Sequence, residues 1–107
     1  GFAAAEILGR YGVHDKDIEN AVRYHTVARA GMSRLEKIVY LADLTEEGRH
    51  YPDVEEMRRR TEQSLDGAML YALCYTIGRL IRKKCAVCCE SWQAYNEFVK
   101  ICKEEKV

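Results

Sequence analysis

Apolar side chains recur along this chain at intervals of three and four residues, and no stretch alternates with the period of two that a half-buried strand needs. Over residues 2–11, Ala4, Ile7, Leu8 and Tyr11 share one helical face, and Gly12 supplies a stop. Asp15 is placed to cap a second helix on which Ile18, Ala21, Val22 and His25 repeat the spacing, so His25 falls on the apolar stripe. Ser33, with Glu36 three residues later, spells a capping box that opens a third helix with Leu35, Ile38, Val39 and Ala42 facing inward. Asp43 follows at the edge of that stripe.

Beyond Gly48 and Pro52, Asp53 and Glu56 form a second capping-box pattern ahead of a helix beginning near Val54. The periodicity then runs to about Lys84 through Leu65, Met69, Ala72, Leu73, Ile77 and Leu80, which predicts one long helix, with a break near residue 63 as the alternative. A last helix from Ser91 is expected to carry Trp92, Tyr95, Val99 and Cys102 inward. Five or six helices with short connections make an all-α bundle, without internal repeats or low-complexity sequence.

Composition narrows the picture. At 107 residues and 48% hydrophobic, the chain can build one modest core, so it is one domain or part of one. Seventeen basic and seventeen acidic residues cancel, which removes any general attraction to nucleic acid or an anionic membrane; a polyanion site must be local. There is no apolar run long enough for a membrane span and no signal-like start. Five crowded cysteines, an odd number, suit a reducing compartment, and the expected location is the cytoplasm. Gly1 leads directly into Phe2-Ala3-Ala4 without an initiator Met, which reads as a cut through a larger protein.

Several residues have chemical potential. His25 can offer a neutral imidazole nitrogen to a metal, or can be a core histidine bonded to a carbonyl. Asp43, at the edge of a buried face, needs a partner: a metal ion, or a cation such as Arg23 or Arg34. Arg49, after Gly48, can grip phosphate oxygens in a bidentate manner, and Thr26 can donate a hydroxyl beside His25. Arg58 belongs to a solvated Arg58-Arg59-Arg60 run and reads as structural. His14-Asp15 spells an HD dipeptide, but between Gly12 and a helix start Asp15 serves better as a cap, so His14 receives no metal role. Cys85-Ala86-Val87-Cys88-Cys89 has CxxC spacing without a second pair, and fits small, partly buried hydrophobes between two helices better than zinc or redox chemistry.

The order of these landmarks resembles a known family. Residues 11–26, YGVHDKDIENAVRYHT, are similar to its glycine, acidic, helix and His-Thr signature. Residues 32–58, MSRLEKIVYLADLTEEGRHYPDVEEMR, are similar to its Met-Ser helix start, Ala-Asp pair, Gly-Arg, Pro and downstream Arg. SWQAYNEF, residues 91–98, resembles its closing helix with an Asn. The family is that of the HD-domain metallophosphohydrolases, in particular the bacterial symmetrical bis(5'-nucleosyl)-tetraphosphatases.

The resemblance implies an HD-domain-like helical bundle whose N-terminal helices lie upstream of Gly1, residues 1–107 being the C-terminal part of a single domain. It implies metal-dependent hydrolysis of dinucleoside polyphosphates, diadenosine tetraphosphate giving two ADP, on a divalent metal pair of iron or manganese. His25 would ligate one metal and Asp43 the other, Arg49 and Thr26 would line the phosphate site, and no catalytic residue is implied beyond the metal site. Val27 and Ala28 stand where the family has Thr or Ser and then Gly, and Glu47 replaces a Pro, which leaves room for an HD-type hydrolase of another nucleotide. A third reading is a catalytically inactive helical interaction module with His25 and Asp43 as core polar groups. The implied partner is a nucleotide, with no nucleic acid or membrane; homo-oligomerisation is open. The 107 residues alone are expected to be inactive, since two ligands cannot hold a metal pair that needs about four to six protein groups.

Overall fold

The computed structural model describes residues 27–105 together with Lys16 and Ile18. Four helices occupy the continuous part: α1 (Arg34–Thr45), α2 (Val54–Gln63), α3 (Leu65–Arg82) and α4 (Cys89–Glu105). Among the described residues there is no strand, as the absence of alternation predicts. The first predicted helix, His14, His25 and Thr26 lie outside the described residues. Of the second predicted helix, Lys16 and Ile18 are described, and both are helical; Ile18, assigned by spacing to the apolar stripe, is instead exposed.

The Ser33 capping box forms as the sequence predicts: Ser33 Oγ accepts from the Glu36 amide at 3.2 Å, and the Glu36 carboxylate accepts from the Ser33 amide at 2.9 Å. Glu36 does more than cap. Its side chain is only 1% exposed, and its other oxygen accepts from Arg29 Nη2 at 2.6 Å. The inward face of α1 is therefore Glu36, Tyr40 and Leu41, with Leu44 packed alongside. Ile38 is 42% exposed and Ala42 is exposed, so the expected face through Leu35, Ile38, Val39 and Ala42 is wrong by one position, a rotation of about 100°. An aromatic residue and a paired carboxylate took the buried stripe from the aliphatic side chains.

At the start of α2 the second capping box does not form. Asp53 makes no cap hydrogen bond, and Glu56 turns along the helix to Arg59 and Arg60, where two guanidinium groups outbid a single backbone amide. Val54 and Met57 face the core. The expected long helix is instead two helices, the alternative with a break near residue 63: they part at Ser64, whose backbone is extended and whose hydroxyl caps α3 by accepting from the Gly67 amide at 3.1 Å.

Helix α3 lies between α2 and α4 and also touches α1. It buries Ala68, Met69, Ala72, Leu73 and Ile77, largely the face expected from spacing. Its end is a full Schellman closure: Cys85 N donates to Leu80 O at 2.9 Å and Lys84 N to Ile81 O at 3.0 Å, with Lys84 in the left-handed region at φ 59°. Helix α4 starts two residues before the expected Ser91, and Ala94 and Phe98 face inward, with Tyr95 and Ile101 packed on the core. Trp92, expected inside, is 40% exposed. Leu41, Met57, Met69, Leu73 and Phe98 form the centre, each contributing about 1.5–3 kcal/mol by burial. Ahead of α1, Ala28 and Met32 join this core, and Gly31, with φ 74°, donates its amide to Glu97 of α4 at 2.7 Å. No described helix is long and apolar enough to cross a membrane.

Candidate active site

Asp43 sits in the last turn of α1, with its side chain 32% exposed, at the point where the chain leaves the helix for the loop before α2. The loop folds back so that Arg49 Nη2 reaches Asp43 Oδ2 at 3.1 Å while Arg49 Nε donates to the Asp43 carbonyl at 3.1 Å. Arg49 Nε also lies 3.5 Å from Glu46 Oε1. The sequence offered Arg34 as a partner for Asp43, but nine residues of helix separate them by about 13 Å along the axis. Arg23, the other suggestion, is outside the described residues. Of the four site residues expected from sequence, Asp43 and Arg49 are brought together, and His25 and Thr26 lie outside the described residues.

The loop conformation that creates this pair is fixed from α2. Arg58 Nε donates to Thr45 O at 3.0 Å, and its Nη2 donates to Glu46 O at 2.8 Å and Arg49 O at 3.3 Å. Its remaining nitrogen meets Glu55 at 2.6 Å. The structural role read for Arg58 holds, but the residue is not merely solvated: it gathers the carbonyls that end α1 and shape the loop. The signal was available, because Arg58 is one turn past Val54, on the side of α2 that faces inward.

Tyr51 OH donates to Leu44 O at 2.6 Å, and its ring meets that of Tyr75 at 5.1 Å and 31°. Partial burial raises the Tyr51 pKa, Tyr75 adds to the rise, and Arg58 and Arg49 oppose it. The phenol thus stays a neutral donor. Beneath Asp43, burial raises the pKa of Tyr40, whose side chain hydrogen-bonds Thr76; the nearby Asp43 and Cys88 push it further up. Sequence reasoning picked out neither tyrosine, since nothing in their spacing separates a site wall from core.

Of the two residues expected from sequence as metal ligands, only Asp43 is among the described residues. Among the described residues, no group of three or more His, Cys, Asp or Glu side chains converges. The carboxylate fits a divalent cation chemically, but the described part of the chain does not complete a site. The cysteines correct another expectation: Cys85, Cys88 and Cys89 are exposed rather than partly buried, and all five cysteines are free thiols. A hollow of about 640 Å³ beside Arg34, Lys37, Glu62 and Asp66 lies at the far end of α1 and carries its own counter-charges, Lys37 bonding Asp66 at 2.8 Å.

No protein-family model matches the chain. Curated relatives do. It is 38% identical over 88 residues to the symmetrical bis(5'-nucleosyl)-tetraphosphatase of Halalkalibacterium halodurans, and 40% identical over 88 residues to that of Bacillus subtilis. Each match covers 82% of this chain and 47% of the relative. The Staphylococcus aureus protein of the same name is 34% identical over 86 residues, covering 78% of this chain and 44% of that protein. The chain spans about half the length of these relatives. A crystal structure described as a predicted HD superfamily hydrolase involved in NAD metabolism, from Clostridium acetobutylicum, is 35% identical with a TM-score of 0.82, over 88% of this chain and 51% of that one. The chain is thus similar over most of its length to the C-terminal part of the symmetrical bis(5'-nucleosyl)-tetraphosphatases, and its helices have the fold of an HD superfamily hydrolase.

Proposed function

We propose that residues 1–107 are the C-terminal part of a single HD-type domain, and that the whole protein is a cytosolic, metal-dependent hydrolase of dinucleoside polyphosphates, releasing ADP from diadenosine tetraphosphate. The observation that carries this reading is the pairing of Asp43 with Arg49 at the end of α1, which puts a metal-type donor and a phosphate-type donor 3.1 Å apart. Similarity to the named tetraphosphatases supports the substrate class, and five free thiols suit a reducing compartment.

In this reading His25 and Asp43 contribute to a divalent metal pair, iron or manganese. The chemistry such a pair supplies is neutralisation of phosphoryl charge and activation of water at neutral pH. The chain's own residues have separate tasks. Asp43 holds its carboxylate at the protein surface, where Arg49 orients it and where a divalent cation would replace the guanidinium as its partner. Arg49, released from that pairing, donates to phosphate oxygens, with Thr26 beside His25 as a further donor. Arg58 holds the loop so that Arg49 stays within reach of both partners. Glu47, whose carboxylate stands where the family has Pro, is exposed and lines neither of the two hollows that Arg49 itself lines, of about 450 and 590 Å³, so it does not obstruct a phosphate chain there.

The test is metal analysis and ADP release with the whole protein. Bound iron or manganese and ADP production are expected, both lost in Asp43→Ala, with Arg49→Lys reducing kcat/KM by about tenfold through loss of bidentate contact. Neither metal nor ADP release in the wild-type protein would refute the reading. The 107 residues alone should show little or no activity. The Asp43–Arg49 pair also satisfies the carboxylate without a metal, as a helical interaction module would require; unchanged metal content in His25→Ala would favour that alternative.

A further inference from the structure

Two open hollows of about 450 and 590 Å³ adjoin the Arg49 side of the Asp43 pair, and they share Arg49, Tyr51, Tyr75 and Arg79. The first also reaches Lys83. Tyr75 and Arg79 on α3 and Lys83 at its C-cap follow one another at intervals of four and so form one stripe. No carboxylate lines either hollow. In a chain whose charges balance overall, the cleft gathers three cations, Arg49, Arg79 and Lys83. Arg49 divides itself between Asp43 and Glu46, whereas among the described residues neither Arg79 nor Lys83 has an ion pair or a side-chain hydrogen bond.

The other wall is aromatic and held in place. Tyr51 is pinned by its bond to Leu44 O and its ring meets that of Tyr75 at a 31° tilt, which gives an aromatic wall beside the cations. The Schellman closure sets the last turn of α3, and hence Lys83, against the rim formed by Cys85. Uncompensated cations along one stripe, next to a fixed pair of rings, match a ligand with a run of negative charge joined to a planar group.

We propose that this cleft is a binding subsite for a nucleoside polyphosphate extending away from Arg49, with Arg79 and Lys83 holding the phosphates distal to Asp43 and the Tyr51–Tyr75 wall lying against the nucleoside. The proposal rests on the nucleotide reading above, but concerns binding and not bond cleavage. It assigns Arg79 and Lys83 to selection for a long phosphate chain, a role that neither spacing nor resemblance suggested.

The test titrates the 107-residue chain at low ionic strength with ADP, pyrophosphate and adenosine by calorimetry, and follows the Arg79 Nε–Hε signal by NMR. ADP should bind more tightly than pyrophosphate or adenosine, shift the Arg79 signal, and weaken as salt rises. The double variant Arg79→Gln, Lys83→Gln should weaken ADP and pyrophosphate alike by about tenfold or more, with Lys100→Gln, on α4, as a control within about twofold. Absence of ADP and pyrophosphate binding, or binding unaffected by the double variant, would overturn the proposal. Equal affinity for ADP and pyrophosphate would overturn the role given to the tyrosine wall. Wild-type NMR stands independently of whether the variants fold. In the whole protein, failure to release ADP despite cleft-dependent binding would sink the hydrolase reading alone; hydrolysis of diadenosine tetraphosphate with KM unchanged in the double variant would sink this proposal alone.

Discussion

Removing the polar head of Arg58 while keeping its bulk is the sharpest test of how this fold sets up its site. Arg58→Met leaves the stem packing on α2 and deletes three bonds to the carbonyls of Thr45, Glu46 and Arg49. Thr45 and Glu46 are the last residue and C-cap of α1, where the helix dipole is negative, so the lost charge costs about 0.5 kcal/mol. The side chain is 28% exposed, so water can reach the freed carbonyls and the three bonds together are worth about 1–1.5 kcal/mol, well below their buried value. A total loss of about 1.5–2 kcal/mol follows, read as a lower urea midpoint in the helical circular dichroism. Arg58→Lys should recover only part, because one ammonium cannot reproduce the spread of the guanidinium. The Arg49 amide, bonded to Glu46 O at 3.0 Å, should exchange its hydrogen faster in Arg58→Met. A midpoint and an exchange rate indistinguishable from wild type would refute the claim that Arg58 holds the loop.

Three further outcomes follow from the same structure. Lys84→Gly should stabilise the chain by about 0.5–1 kcal/mol, the relief of a left-handed lysine less the added freedom of the unfolded glycine; urea unfolding showing no gain would count against the closure described for α3. Arg59 and Arg60 hold the Glu56 carboxyl down at about 2, below its ordinary 4.5, so its contribution is complete above pH 4.5 and disappears as pH falls toward 2. Thermal unfolding of Glu56→Gln should accordingly fall less steeply than wild type across that window, and added salt should shrink the difference. Burial raises the Tyr40 pKa above 10.0, so its stabilising share is present below pH 10 and lost as pH rises through the folded value; Tyr40→Phe should cost about 1 kcal/mol at neutral pH yet decline less in alkali, as urea titrations at neutral and alkaline pH can show.

Local chemistry made much of the helical plan readable before any coordinates. Ser33 with Glu36 marks the start of α1 and the apolar stripe through Met69, Leu73 and Ile77 marks α3, while the break at Ser64 was legible only as an alternative to one long helix. The register of α1 and the inward face of α4 were not readable, for a common reason. A hydrophobic template rewards Ile38 and Trp92, but burial went to Tyr40 and Glu36 on one helix and to Ala94 and Phe98 on the other, since hydrogen bonds and close helix approach override side-chain hydropathy. Asp53 and Glu56 show the limit of motif reading: the box is spelled correctly, yet two arginines further along the helix claim the glutamate. Asp43 and Arg49 were legible one at a time, but their pairing depends on a loop closed by Arg58 from another helix, a contact no local window contains.

The one-residue joint at Ser64 sets a rule for how this chain can change. Because α2 passes to α3 through a single extended residue, any insertion or deletion there would turn α3 about its axis by about 100° per residue. Such a turn would carry Met69, Leu73 and Ile77 off the core and swing Tyr75, Arg79 and Lys83 away from Arg49. Length variation should therefore accumulate between α3 and α4, while the distance in sequence from Met57 to Lys83 stays constant, a ruler that ties the interior of the protein to its basic cleft.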